Sequence, residues 1–340
     1  MLFADRGHEA RPVRAVSVVI CAYTERRWGD ISAAVRSLLA QSVRPAEVIL
    51  VSDHNDALLE RVRSELPGVV AVANAERRGL SGARNTGVRA ASGEIVAFID
   101  DDAIAAPDWL ERLLEPYDDP SVIGVGGAVE PLWPDARPPL LPPEFDWVVG
   151  CSYRGLPEVT SSVRNPIGAN MSLRRGVFAA GGFLTDVGRV GSWPLGCEET
   201  ELCIRARRLS PESRIVYEPS ARVLHRVSRE RLRWRYFGAR CYSEGLSKAV
   251  VARHAGSRAG LASERTYVTR TLPRGVARGL ADATLRGDPA GLGRAGAIVA
   301  GLGITTLGYA LGRLRRFTPD PSRVPLPVPE SAAATEAANA

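Results

Sequence analysis

Three carboxylates stand side by side at Asp100, Asp101 and Asp102, directly after the apolar run Val96–Ile99. Repulsion and desolvation both oppose that placement, so the segment needs either solvent or cations around it. Two aspartates one residue apart at a strand end can share a divalent ion. Ligands that are all oxygen select Mg2+ or Mn2+, which keep positions open for phosphate oxygens. Taken alone, an aspartate-rich turn is an ordinary solvated loop. Three features favour the metal: the buried strand before the triplet, the helix-opening APDWL after it, and a second aspartate-ended strand at Asp53. A further acidic group, CEETEL, puts Glu198, Glu199 and Glu201 at the head of a helical pattern. By itself that is favourable acid placement at a helix start.

The elements that must carry these residues are legible from periodicity. VSVVICAY (Val16–Tyr23), EVILVSD (Glu47–Asp53), GVVAVAN (Gly68–Asn74) and EIVAFI (Glu94–Ile99) are continuous apolar runs separated by helical patterns. Such runs belong to a parallel sheet covered on both faces, in the doubly wound α/β plan. In that plan ligands bind beyond the carboxyl ends of the strands, which is where Asp53 and the triplet fall. Asp30 is expected to cap the helix Asp30–Gln41. The proline-rich stretch Pro131–Trp147 is expected to be a loop, neither regular helix nor central strand. The chain is further expected to form a helix over Cys197–Leu209, two short extended pieces around SRIVYEP and ARVLH, and one long helix over Ser228–His254.

Five segments occur in a fixed order: VSVVICAYTERR, EVILVSDHND, RRGLSGARNTGVRAASGEIVAFIDDDA, GANMSLRRGVFAAGGF and CEETELCIRA. Together, over Ala15 to His225, they closely resemble family 2 glycosyltransferases of the GT-A fold. The stretch RVLHRVSRERLRWRYFGARCYSEGLSKA that follows is similar to actinobacterial-type members whose C-terminal helices approach the membrane. The resemblance implies a mostly parallel, Rossmann-like nucleotide half with a C-terminal helical extension. It implies nucleotide contacts from Asp53, from the strand end at Ala22 and Tyr23, from Arg84 in GARN, and from Asp100 and Asp101. It implies Mn2+ or Mg2+ on Asp102 and Asp100, with His225 as a further ligand, although a lone histidine is ordinarily structural. Glu199 matches the usual catalytic aspartate, one methylene longer, with Glu198 beside it. The helix start is expected to keep the Glu199 carboxylate ionised near neutral pH, as a general base requires. Asn170 and Trp193 are the acceptor-side candidates.

The implied activity is inverting transfer from a nucleoside diphosphate sugar, UDP being the commonest donor base in the family. The implied acceptor is a glycan or a polyprenyl phosphate in cell-envelope or lipid-linked synthesis. A retaining transferase of the same fold, a nucleotidyltransferase and a non-catalytic nucleotide-binding scaffold are the alternatives. AYTERRWGD holds a single glycine, which weighs against the phosphate loop that a nucleotidyltransferase needs.

Charge and composition bound the setting. The 340 residues carry a formal net charge of +6. From Arg222 to Arg316 nineteen basic residues face five acidic ones, and Lys248 is the one lysine of the chain. Such a bias suits nucleic acid, an anionic membrane face or a phosphorylated lipid. With no zinc-finger or RNA-recognition signature, nucleic acid is not expected. Five cysteines without a CxxC pair, and a charged N-terminus without an apolar core, are read as a cytosolic chain with reduced thiols and no secretion signal. The uncharged stretch 295–312 reaches the lower limit for crossing a bilayer. It is read as spanning the membrane, lying on it, or packing within the fold. The expected organisation is a leader (1–14), a GT-A domain (15–227), a basic helical region (228–316) and a disordered tail (317–340), working at the inner face of the plasma membrane.

Overall fold

The computed structural model describes residues 14–189, 195–256 and 262–314. Its centre is a nine-stranded sheet in the order β3-β2-β1-β4-β8-β6-β9-β5, with β7 paired to β9. The strands β1 (Val16–Ala22), β2 (Glu47–Ser52), β3 (Val69–Ala73) and β4 (Ile95–Asp100) are parallel, as their unbroken valine and isoleucine runs require. Between them run α1 (Trp28–Leu39), α2 (Asp56–Glu65) and α3 (Leu80–Ala90). Alternate residues of β1 point to opposite faces: Val18 and Ile20 meet α1 and α2, while Val19 meets α3.

Past β4 the sheet turns antiparallel. β5 (Ala103–Ala105) follows the triplet, and α4 (Trp109–Leu114) leads to β6 (Val122–Leu132). Then come β7 (Ser161–Val163), β8 (Asn170–Arg174), α5 (Glu198–Leu209) and β9 (Arg214–Arg226). β8 lies antiparallel between β4 and β6, and β9 runs parallel to β6 and antiparallel to β5. The two extended pieces around SRIVYEP and ARVLH are one strand with a register shift in its middle.

Several expectations are corrected. Pro131 lies inside β6, opposite His225. β8 pairs with β6 only through Gly126, so beyond that point β6 has a free edge on which a missing N–H is harmless. The end of the proline-rich stretch forms a 3-10 turn, Pro143–Val149, rather than an open loop. Asp30 does not cap α1. The chain enters through a 3-10 turn capped by Thr24, whose Oγ1 accepts from the Arg26 N–H, and Asp30 sits in the first turn of α1. The long helix after β9 is broken at Arg233, giving a short turn (Arg229–Leu232) and then α6 (Trp234–Ala255).

α7 (Ala262–Thr266) continues through one π turn, Tyr267–Thr271, into α8 (Leu272–Leu285), followed by α9 (Ala290–Leu314). α9 lies along α6 at backbone contact: a Cβ on Gly308 would stand 2.3 Å from the Tyr242 carbonyl oxygen, and one on Gly245 would stand 2.1 Å from that of Thr305. Phe237, Cys241, Leu272 and Ile298 share one core with β1, β4 and α4. The helical region therefore closes over the sheet rather than standing apart from it. α9 is long and apolar enough to cross a bilayer, yet a third of that stretch is buried against the protein.

Candidate active site

Sheet register builds the acidic centre. Asp100 ends β4 beside Cys21 of β1. Ala103, one residue past the triplet, pairs with His225 of β9, which brings the imidazole to Asp102. His225 Nε2 lies 3.2 Å from Asp102 Oδ1. Cys151 Sγ lies 3.8 Å from the other ring nitrogen and steadies the ring. One ligand atom each from Asp100, Asp102 and His225 falls within 4.8 Å of the other two. Asp102 and His225 are buried, whereas Asp100 faces the open side with about a third of its side chain exposed.

The charge that the triplet requires comes from arginines. The capped turn before α1 delivers Arg27, which donates to Asp102 Oδ2 at 2.8 Å and stands 2.9 Å from Asp101 Oδ2. The turn after β9 delivers Arg231, 3.5 Å from Asp102 Oδ2 and 3.3 Å from His225 Nε2. Burial works against ionising Asp102, but His225, Arg231 and Arg27 outweigh it and hold the carboxyl below the usual carboxylate range. Asp101 goes the other way: burial, then its neighbouring aspartates, push its carboxyl up to about 8 against the pull of Arg27.

A second acidic pair opens on the same space. Cys197 precedes α5 with φ of 74°, a left-handed conformation rare for a residue with a Cβ. From there Glu198 and Glu199 start the helix. Arg84, buried on α3, donates to Glu198 Oε1 at 2.7 Å and to the Gly168 carbonyl at 2.9 Å, and lies 3.8 Å from Asp100. One guanidinium thus links the metal-ligand cluster to the helix of the expected base. Arg84, Asp100, Glu198, Glu199, His225 and Arg231 all line a single cavity of about 1070 Å³. Burial and the adjacent Glu198 raise the Glu199 carboxyl to about 8, overriding the helix start that was expected to keep it ionised.

These residues suit a divalent ion. Two carboxylate oxygens and an imidazole nitrogen converge, a hard, mostly oxygen donor set. With the Asp101 carboxyl raised to about 8, the carboxylates of Asp100 and Asp102 face Arg27 and Arg231 and the cluster is close to neutral near pH 7. A divalent ion would make it positive and call for an anionic partner such as a diphosphate.

Residues 17–182 match the glycosyl transferase family 2 model. A glucosyl-dolichyl phosphate glucuronosyltransferase of Haloferax volcanii is 39% identical over 241 residues, which are 69% of this chain and 77% of that protein. The chain is a family 2 glycosyltransferase. An uncharacterized glycosyltransferase of Nostoc sp. is 32% identical over 32% of the chain, which spans only 35% of that relative's length. A mannosyltransferase of Pyrobaculum calidifontis, solved in complex with GDP-Man and Mn2+, matches with a TM-score of 0.55 and 18% identity, over 87% of this chain and 88% of its own. That likeness bears out the GT-A fold.

The glycosyltransferase places its expected residues unevenly. Asp53 lies beside Ala22 at the strand ends, its N–H donating to the Ala22 carbonyl at 2.7 Å. Its carboxylate accepts from Asn74 Nδ2 at 2.7 Å and from the N–H of Gly79 at 2.9 Å, and His54 Nδ1 lies 2.9 Å away. Gly79 sits at φ of 129°, which a side chain would oppose, so glycine is what lets α3 start on that carboxylate. Ala22 is buried, and Tyr23 is partly exposed beneath the Arg27 guanidinium. Asn170 is corrected: it is fully buried, donating to the carbonyls of Ala128 and Ala221 and accepting from Trp109 Nε1, each at 2.8 Å, so it cannot reach an acceptor. Trp193 lies outside the described residues. Sequence reading did not single out Arg27 or Arg231. The signal was the triplet itself, whose burial demanded cations from elsewhere in the chain.

Proposed function

We propose that the enzyme transfers a sugar from a nucleoside diphosphate donor to a lipid-linked acceptor at an anionic membrane face, with inversion at the anomeric carbon. The observation that carries this reading is the convergence of Asp100 and His225 with Glu198 and Glu199 on one cavity, with Asp102 against His225 behind them and Arg84 joining the two acidic groups. Asp100, Asp102 and His225 would hold Mn2+ or Mg2+, which supplies charge neutralisation to a departing diphosphate. Arg84 and Arg231 add fixed positive charge on the same side. The Glu199 carboxylate takes the proton of the acceptor hydroxyl as that oxygen bonds to the anomeric carbon. The bond to the β-phosphate breaks in the same displacement, its electron pair leaving on the diphosphate. A carboxyl raised to about 8 is a stronger proton acceptor than an ordinary glutamate, which suits a base working near that pH.

The lipid-linked acceptor is supported by the apolar half of the cavity, including Leu302 and Tyr309 of α9, and by the relative named for a dolichyl phosphate substrate. Membrane contact is supported by exposure. Of fifteen large apolar side chains exposed among the described residues, seven lie in residues 262–314, interspersed with arginines. Because α9 lies along α6, the reading favours lying on the inner face over spanning. UDP heads the donor panel.

The test is a thermal-shift panel of UDP, GDP and TDP and their sugars, with and without Mn2+ or Mg2+. A matching nucleotide and metal together should stabilise the protein more than either alone, because each offsets the charge that the other brings to the site. Absence of any such stabilisation refutes the donor assignment. The anomeric proton coupling of the product separates inversion from retention.

A further inference from the structure

A cavity of about 1070 Å³ exceeds the roughly 300–1,000 Å³ of a single small-molecule site. Its acidic end is accounted for by the donor. The other end is walled by Tyr153, Leu156, Tyr267, Leu302 and Tyr309, yet it holds an ionic chain that the donor does not use. Arg164 donates two bonds to the Glu264 carboxylate, Nη1 to Oε2 at 2.7 Å and Nη2 to Oε1 at 3.0 Å. Lys248 Nζ adds a third to Oε1 at 2.6 Å. Lys248 also lies 2.9 Å from Glu244, which Arg240 holds at 2.7 Å. Three cations therefore face two carboxylates inside a largely apolar space. Arg240, Glu244 and Lys248 pair at i,i+4 along α6, whereas Arg164 and Glu264 come from elsewhere in the chain, and withdrawing them together from water is costly.

The arrangement has a chemical meaning. A planar guanidinium fork with an ammonium on the same pair of oxygens is a cradle for a phosphoryl group, and a carboxylate is its nearest side-chain substitute. We propose that Arg164 and Lys248 form the subsite for the phosphoryl group of a lipid acceptor, and that Glu264 holds this place until the acceptor arrives. The proposal rests on the transferase reading above. Three observations support it. The cradle lines the same cavity as Glu199. Cys197, one residue before the acidic pair, donates through Sγ to Glu244 Oε1 at 3.5 Å, so the cradle and the base helix are physically joined. α9 presents Leu302 and Tyr309 to the cavity while Val299 and Leu307 are exposed, so an isoprenoid chain leaving the cradle meets an apolar helix bordering both the cavity and the outside.

The test is titration of the full chain with farnesyl phosphate, farnesol and inorganic phosphate, without added metal, read by tryptophan fluorescence, since Trp147 lines the cavity. Farnesyl phosphate should bind about tenfold tighter than farnesol or inorganic phosphate. Glu264→Gln should tighten farnesyl phosphate by about fivefold, because the internal competitor loses its charge, and Arg164→Gln should weaken it by about tenfold. Opposite signs are the signature, since a purely structural ion pair would be harmed by either change. If Arg164→Gln fails to fold, Arg164→Lys, which keeps the charge and loses the fork, should show partial weakening. Unchanged or weaker binding in a folded Glu264→Gln overturns the proposal. Equal affinity for inorganic phosphate overturns its lipid part. Thermal stabilisation by UDP, GDP and TDP with Mn2+ is measured on the same samples. Its absence with UDP, GDP and TDP alike refutes the donor assignment, while the metal-free titration still tests the cradle by itself.

Discussion

The sheet from β3 to β4 and the cavity wall from α6 to α9 are built on different principles. In the first, strand, helix and parallel strand repeat, the order β3-β2-β1-β4 places β4 back beside β1, and one apolar core on each face holds them. In the second, segments far apart in sequence are joined by part-buried ion pairs, as in Arg164 to Glu264 and Glu144 to Arg278, and by glycine-mediated backbone contact between α6 and α9. The first region is a platform that presents strand ends. The second completes the chamber above them. Chemistry resides at the strand ends, where Arg27, Arg84 and Arg231 gather around the aspartates and the cavity opens.

The sharpest way to break this division is at the platform edge. Asp102→Asn keeps hydrogen-bond capacity but removes one ligand charge, and transfer should fall by about a thousandfold, roughly 4 kcal/mol of barrier. A transfer rate near that of the unaltered enzyme would remove the metal-ligand cluster from the reaction. Glu199→Gln should lower kcat by about a hundredfold or more while leaving nucleotide stabilisation intact. In the unaltered enzyme a base with a carboxyl raised to about 8 is active only when deprotonated, so kcat/KM should climb with pH and level off above 8. A profile already flat from pH 6 would show that Glu199 is not the base. In the second region, Gly308→Val should force α9 off α6, with a loss of about 3 kcal/mol measured by urea unfolding. Smallest of all, Leu285→Ser on the exposed end of α8 should change stability by no more than about 0.5 kcal/mol. It should still lower binding to anionic vesicles, which added salt should weaken further.

Legibility follows the same division. Val16–Ala22 and Ile95–Asp100 are readable because a strand buried on both faces leaves an unbroken apolar run. The acidic triplet is readable as a site because its burial is intolerable without compensation. What compensates it is hidden, because Arg27 and Arg231 are ordinary arginines in an arginine-rich chain and become special only when the turn before α1 and the turn after β9 carry them to the triplet. Asn170 misleads for a related reason: its side chain resembles a sugar-binding group, but it serves instead to bridge strands at a fully buried crossing. The state of the Glu199 carboxyl is not legible because a helix start is a local signal, whereas burial beneath the cavity wall is a tertiary one.

The position of α9 has a practical corollary. Leu302, Thr305, Thr306 and Tyr309 face the chamber in which both substrates would meet. Truncation after β9, the obvious route to a more soluble preparation, would leave the aspartates in place but strip that side of the chamber open to water. In this transferase the greasy helix α9 is part of the wall around the reaction space, and solubilisation by shortening would discard it.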